Sequence, residues 1–234
     1  MVTKWLHIDM KVTDPWVLPI WNAIHRAVQE GRTTHPGDVS SQLSLHLSTR
    51  LAMLPVIFRR VNQGIEQLKT VIAGRESRHE WTQERAGYAF PIPQDLQYSL
   101  LVDLDALLFE LNASCELLRR FFALLHQHSG RAIPETQLGQ ELRRIIKAAG
   151  QDARWFVRLD VHRNFFMHNG APYFAVDLSN APERYDLLIM KEDLQAFEDE
   201  TKFVRLSELR DIVEGFEHSK RALQEYLIRL FSAS

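Results

Sequence analysis

The strongest constraint on how this chain can fold is the apolar spacing between Asp95 and His128. Leu101, Leu104, Leu108, Leu111, Cys115, Leu118, Phe122 and Leu125 recur every three or four residues. That period puts them on one stripe of an α-helix and does not fit the alternation of a half-buried strand. Leu100, Leu107 and Phe121 widen the stripe, so the spacing predicts a central helix. Such a helix needs other amphipathic helices to cover it. Residues 206–232 offer one, with Leu206, Leu209, Val213, Phe216, Leu223, Leu227 and Leu230 at helical spacing.

Further elements follow from stop and start signals. Asp14-Pro15 opens a helix over about 15–30 that ends at Gly31. Asp38 is the expected N-cap of a long helical stretch to Gly74, which Pro55 should kink or divide. Gly130 and Pro134 separate the central helix from one over about 135–149, and another starts near Asp152 and stops before Gly170 and Pro172. Residues 5–12 alternate apolar and polar, as in a strand. Residues 74–93 are charged, hold two prolines and read as a long loop. Two apolar runs flank Ser179-Asn180-Ala181-Pro182, which predicts a β-hairpin over 173–191. The expected fold class is mainly α. One helical domain spans 1–234, with an elaborated N-terminal region (1–35) and the hairpin appended before the last helix.

Composition sets outer limits on function. Cys115 is the only cysteine, so no intrachain disulfide can form and no zinc site can use two thiolates. No run of 18 apolar residues exists, and the start, MVTKWLHIDMKV, lacks a continuous apolar stretch. A cytoplasmic protein without a membrane span or signal peptide is expected. Net charge is −2, but residues 117–168 hold nine bases against four acids, and residues 169–202 hold eight acids against three bases. An anionic ligand could use that polarity, and a pair of solvated faces would show it equally. The sequence has no G-x-x-x-x-G-K-[ST], G-x-G-x-x-G, G-x-S-x-G or H-E-x-x-H motif. No cofactor and no metal are expected. Asp103 and Asp105, two apart on a helix, point away from each other, and His126 and His128 form no metal set.

The stretch HRNFFMHNG, residues 162–170, carries chemistry. Arg163 can hold a phosphate with a planar two-donor fork. His168 can move a proton near neutral pH. Together they suffice for metal-free cleavage of RNA, in which the 2′-hydroxyl attacks the adjacent phosphate. The bare pattern of Arg, four to six residues, then His occurs three times: Arg119 and Arg120 with His126, and Arg163 with His168. Context separates them. Arg163 is followed by polar Asn164 late in a helix, whereas phenylalanines follow the other two arginines. Positions five apart lie about 140° around an ideal helix, so Arg163 and His168 share a face only through Arg reach, end fraying or a second copy of the motif. Simpler roles also exist: His168 as a helix C-terminal cation, Asn169 as a C-cap, Arg163 paired with Asp160, and His162 as a surface histidine. Trp5, Trp16, Trp21, Trp81 and Trp155 read as core or interface.

HRNFFMHN resembles the signature of the HEPN superfamily, in which Arg, a polar residue and His stand at this spacing. The resemblance covers about eight residues and a compatible helical order. It implies a small helical bundle acting as a metal-independent endoribonuclease, commonly a homodimer with two motifs lining one cleft. Many such proteins serve in toxin–antitoxin or phage-defence systems, so an antitoxin or partner protein is an expected companion. Arg163, Asn164 and His168 would then be catalytic, and Arg154, Arg158, His162 and Asn169 would contact RNA. The alternative is a noncatalytic helical module that binds nucleotide or RNA, or serves assembly.

Overall fold

A computed structural model describes residues 15–74, 82–84, 87–89, 91–177, 186–193 and 199–232. The strand expected at 5–12, Trp5, Trp81 and the turn at 179–182 lie outside them. The described residues form six α-helices and five short strands, so the fold is mainly α as expected. The helices are α1 (Val17–Gln29), α2 (Asp38–Ala73), α3 (Gln94–His128), α4 (Glu135–Ala148), α5 (Arg154–His168) and α6 (Leu206–Ser232). Asp38 is the first residue of α2 rather than its cap. Pro55 does not divide α2, which is continuous over 36 residues. A proline removes one backbone donor, and a helix this long retains its other bonds.

The stretch expected to be a loop at 74–93 contains β1 (Thr82–Glu84) paired antiparallel with β2 (Gly87–Ala89). The expected hairpin is present as β3 (Phe174–Asp177) and β4 (Asp186–Met190), in register Phe174↔Ile189. It belongs to a sheet of three strands, because β5 (Phe203–Arg205) adds to β4 with Met190 opposite Phe203. Leu187 to Met190 are all buried, so β4 shows no alternation.

The chain divides into two compact units, and the divisions fall inside α2, α3, α4 and α6. The first comprises residues 1–53, 114–145 and 221–234. Its buried residues include Ile20, Ile24, Leu47, Phe121, Leu125 and Leu227. Trp16 meets Phe121 edge-on at 6.1 Å. Gln224 donates to the Trp16 carbonyl at 2.6 Å, tying α6 to the start of α1. Arg32 donates to the Phe231 carbonyl at 2.7 Å and so satisfies one of the open acceptors at the end of α6.

The second unit comprises residues 54–113 and 146–220. A Cβ at Gly64 would lie 3.1 Å from Leu100, so α2 and α3 approach closely there. Asp103 on α3 is buried and pairs with Arg60 of α2 at 2.7 Å. α5 packs on α6 through Trp155, whose indole N–H donates to buried Ser219 at 2.9 Å. Gly215 makes that packing feasible, since a Cβ there would come within 2.5 Å of the Trp155 ring. Among the described residues no helix is long and apolar enough to cross a membrane.

Candidate functional site

α5 carries the motif, and its ends follow from local chemistry. Asp152 accepts from the Arg154 backbone N–H at 2.9 Å, which satisfies one open donor of the first turn. At the other end Asn169 donates to the Phe165 carbonyl at 2.9 Å and Gly170 to the Phe166 carbonyl at 3.2 Å. Gly170 then takes φ +69°, where a side chain would be strained. The helix therefore does not loosen before His168, and the angular offset from Arg163 persists.

One stripe of α5 is buried: Trp155, Leu159, His162 and Phe166, spaced four, three and four. The opposite side faces solvent, and Val157, Val161, Asn164 and His168 have the same spacing on it. Val157 and Val161 are 62% and 54% exposed, and Phe156 and Met167 beside them 42% and 51%. A helix that shows four large apolar side chains opposite its buried stripe is amphipathic on one side only in part.

Arg163 is half-buried at the edge between the two sides. Its Nη1 donates to the Asn164 side-chain oxygen at 2.5 Å. Asn164, not Asp160, is thus the group that meets the guanidinium. The Nε of Arg163 is buried with no partner among the described residues. Asn164 is exposed one turn before exposed His168, so the fork bends toward the line that carries the imidazole. Asn164 and His168 lie one turn apart on the exposed side, and Arg163 reaches that side from its edge through the bond to Asn164.

The flanking residues are less available. Arg154 is exposed but folds back on Asp152, with Nε 2.6 Å from its carboxylate. That contact, after the backbone bond, holds the Asp152 carboxyl below its usual range. Arg158 pairs with Asp211 of α6 at 3.5 Å. Asn169 is exposed and ends the helix at φ −119°.

His162 is buried, in place of the surface histidine expected. Its Nε2 stands 3.3 Å from the Glu208 carboxylate, and its Nδ1 has no partner among the described residues. Burial, then Lys191, then Arg158 lower its pKa to about 4. Glu208 should pull the other way, but its side chain is 41% exposed and its charge is spread into solvent. His162 is neutral near pH 7 and belongs to the support of the motif.

Glu208 and Lys191 escaped the sequence reading. Lys191 lies 5.7 Å from the Phe165 ring centroid and donates to the Thr201 carbonyl at 3.2 Å. Nothing in the spacing of the motif points to residues so far along the chain. Among the described residues, no group of three or more His, Cys, Asp or Glu could hold a metal. No protein-family model, curated protein or solved structure matches this chain.

Proposed function

We propose that this protein is a metal-independent endoribonuclease of HEPN type. Arg163 holds the scissile phosphate and stabilises its added charge. His168 transfers a proton, as base toward the 2′-hydroxyl or as acid toward the leaving oxygen. Asn164 orients the guanidinium and meets a phosphate oxygen through its amide. The observation that carries this reading is the exposed run of Arg163, bonded to Asn164, and His168 one turn further on. Such a run supports a phosphate-binding fork and a proton carrier acting on one ligand. A role as toxin or defence effector, with an antitoxin or partner protein, rests on the resemblance.

The same reading includes a homodimer. Phe156, Val157, Val161 and Met167 leave an exposed apolar face beside the motif, which a second copy would cover. A second motif would then supply an arginine on the far side of His168, offsetting the angular separation within one chain.

The test is RNA cleavage by purified protein in EDTA. The ribo-substrate should be cut and its DNA copy should survive, because DNA lacks the attacking hydroxyl. Arg163→Lys should restore little, since an ammonium cannot reproduce the fork. If EDTA abolishes cutting, or if the DNA copy is cut equally, this mechanism is wrong.

A further inference from the structure

His126, in the other Arg/His match, lies in the first unit and leaves an unusual residue of chemistry. Its ring is buried, 3% exposed, stacked on Tyr226 at 5.5 Å and 9° and tilted on Phe122 at 4.5 Å. Nδ1 stands 3.2 Å from the Arg131 carbonyl and must donate to it, because a carbonyl only accepts. Burial, the largest influence, lowers its pKa, so the ring is neutral and Nε2 is an acceptor. That acceptor has no donor among the described residues. Buried polar atoms are normally satisfied, and an orphan calls for a water or a ligand.

A groove of about 410 Å³ lies in the same unit, formed by the segment after α3 and the outer side of α4. That volume is within the range of about 300–1,000 Å³ typical of small-molecule sites. Ile133 and Pro134 give it apolar wall, Gln137 and Gln140 give amide edges, and Glu141 and Arg144 complete it. Glu141 lines the groove. Glu141 also fixes Arg144, accepting from Nε at 2.8 Å and from Nη2 at 2.5 Å. A guanidinium plane held at two points is a flat platform with donors to spare.

The charged residues that line the groove, Glu141 and Arg144, pair with each other, and two further arginines, Arg131 and Arg143, adjoin lining residues in sequence. Glu135 pairs with Arg119 and Glu141 with Arg144, which occupies the acids. Arg131 and Arg143 are exposed, and neither meets a carboxylate among the described residues. Stacking platform, amide edges and cations next in sequence to the lining are the parts that recognise a nucleotide within a single strand: base, base edge and phosphate.

We propose that this groove is a second RNA contact, taking a base against Arg144, Gln137 and Gln140 and neighbouring phosphates at Arg131 and Arg143. The proposal rests on RNA as the ligand of this protein, and assigns it residues away from α5. The probe is a fluorescein-labelled RNA of about ten nucleotides with every ribose 2′-O-methylated, which binds but cannot be cut. Anisotropy is followed over a range of KCl concentrations in wild-type protein, Arg131→Gln/Arg143→Gln and Gln137→Ala/Gln140→Ala. The arginine variant should flatten the slope of log K against log salt by about 1.4, for two single-strand phosphates at about 0.7 each. The glutamine variant should weaken binding by at least about threefold at unchanged slope, for lost hydrogen bonds alone. A slope does not move through a merely structural defect.

Two wild-type-like variants, or no binding by wild type, overturn the proposal. Cleavage of the unmethylated RNA separates this from the ribonuclease reading. Groove-dependent binding without cleavage leaves the groove standing and removes the nuclease. Cleavage that needs Arg163 and His168, with groove variants binding and cutting as wild type, removes the groove alone.

Discussion

At the scale of residues, the histidines divide by burial. His168 is exposed at the end of α5, while His162, six positions earlier, is buried. Trp155, Leu159, His162 and Phe166 follow helical spacing, but the adjacent Phe165 and Met167 blur that stripe, so a surface histidine was expected where a buried one stands. Its partner Glu208 was not legible, because only the fold brings the start of α6 to it. The lowered pKa has a consequence for stability. Between about pH 6.5 and 4 the unfolded chain binds a proton at His162 that the folded chain refuses, so stability falls as pH falls through that window. Denaturant midpoints at pH 7 and pH 5 should show wild type losing about 1–2 kcal/mol more than His162→Gln, by linkage. Equal losses in both proteins would show that His162 is not held neutral. Asp103 makes a similar point. The sequence says only that it points away from Asp105, yet it is buried against Arg60, a partner more than forty residues away.

At the scale of elements, apolar period read helices well and short strands poorly. α3 begins at Gln94, one residue before the expected start, and Leu104, Leu108, Leu111, Leu118, Phe122 and Leu125 are buried as their spacing requires. α6 has the expected bounds. β5 was missed because three residues are too few to show alternation, and β1 and β2 for the same reason. The joint between α5 and α6 depends on one residue without a side chain. Gly215→Ala would drive a methyl into the Trp155 ring, and overpacking of this kind costs about 1–3 kcal/mol. Ser219→Ala leaves the buried indole N–H without its acceptor and should cost about 1–3 kcal/mol. Thermal or denaturant unfolding of both variants checks this. Unchanged stability in Gly215→Ala would mean that α5 does not lie against α6 as described.

At the scale of the whole molecule, the proposed dimer and the proposed chemistry both use the exposed face of α5. Val157→Glu/Val161→Glu puts two like charges on that face and should convert a dimer to a monomer by light scattering, with the helical signal retained. A wild-type monomer at tens of micromolar, or a dimer that both glutamates leave intact, would contradict the proposed interface. The two-fold contact should bury on the order of 1,000 Å² or more in total. Neither the proposed association nor the proposed activity could be read from composition, whose net charge of −2 conceals the basic stretch before residue 169 and the acidic one after it. The central claim is that Arg163 and His168 cut RNA together, and the most direct measurement is the single-turnover cleavage rate of three proteins in EDTA. His168→Ala should lower the wild-type rate by about 10²–10⁴, the range for a lost acid or base. Arg163→Ala should lower it by about 10²–10³, the range for a lost donor to developing charge, with both variants still folded by circular dichroism. Cutting at the wild-type rate by both folded variants would contradict the account.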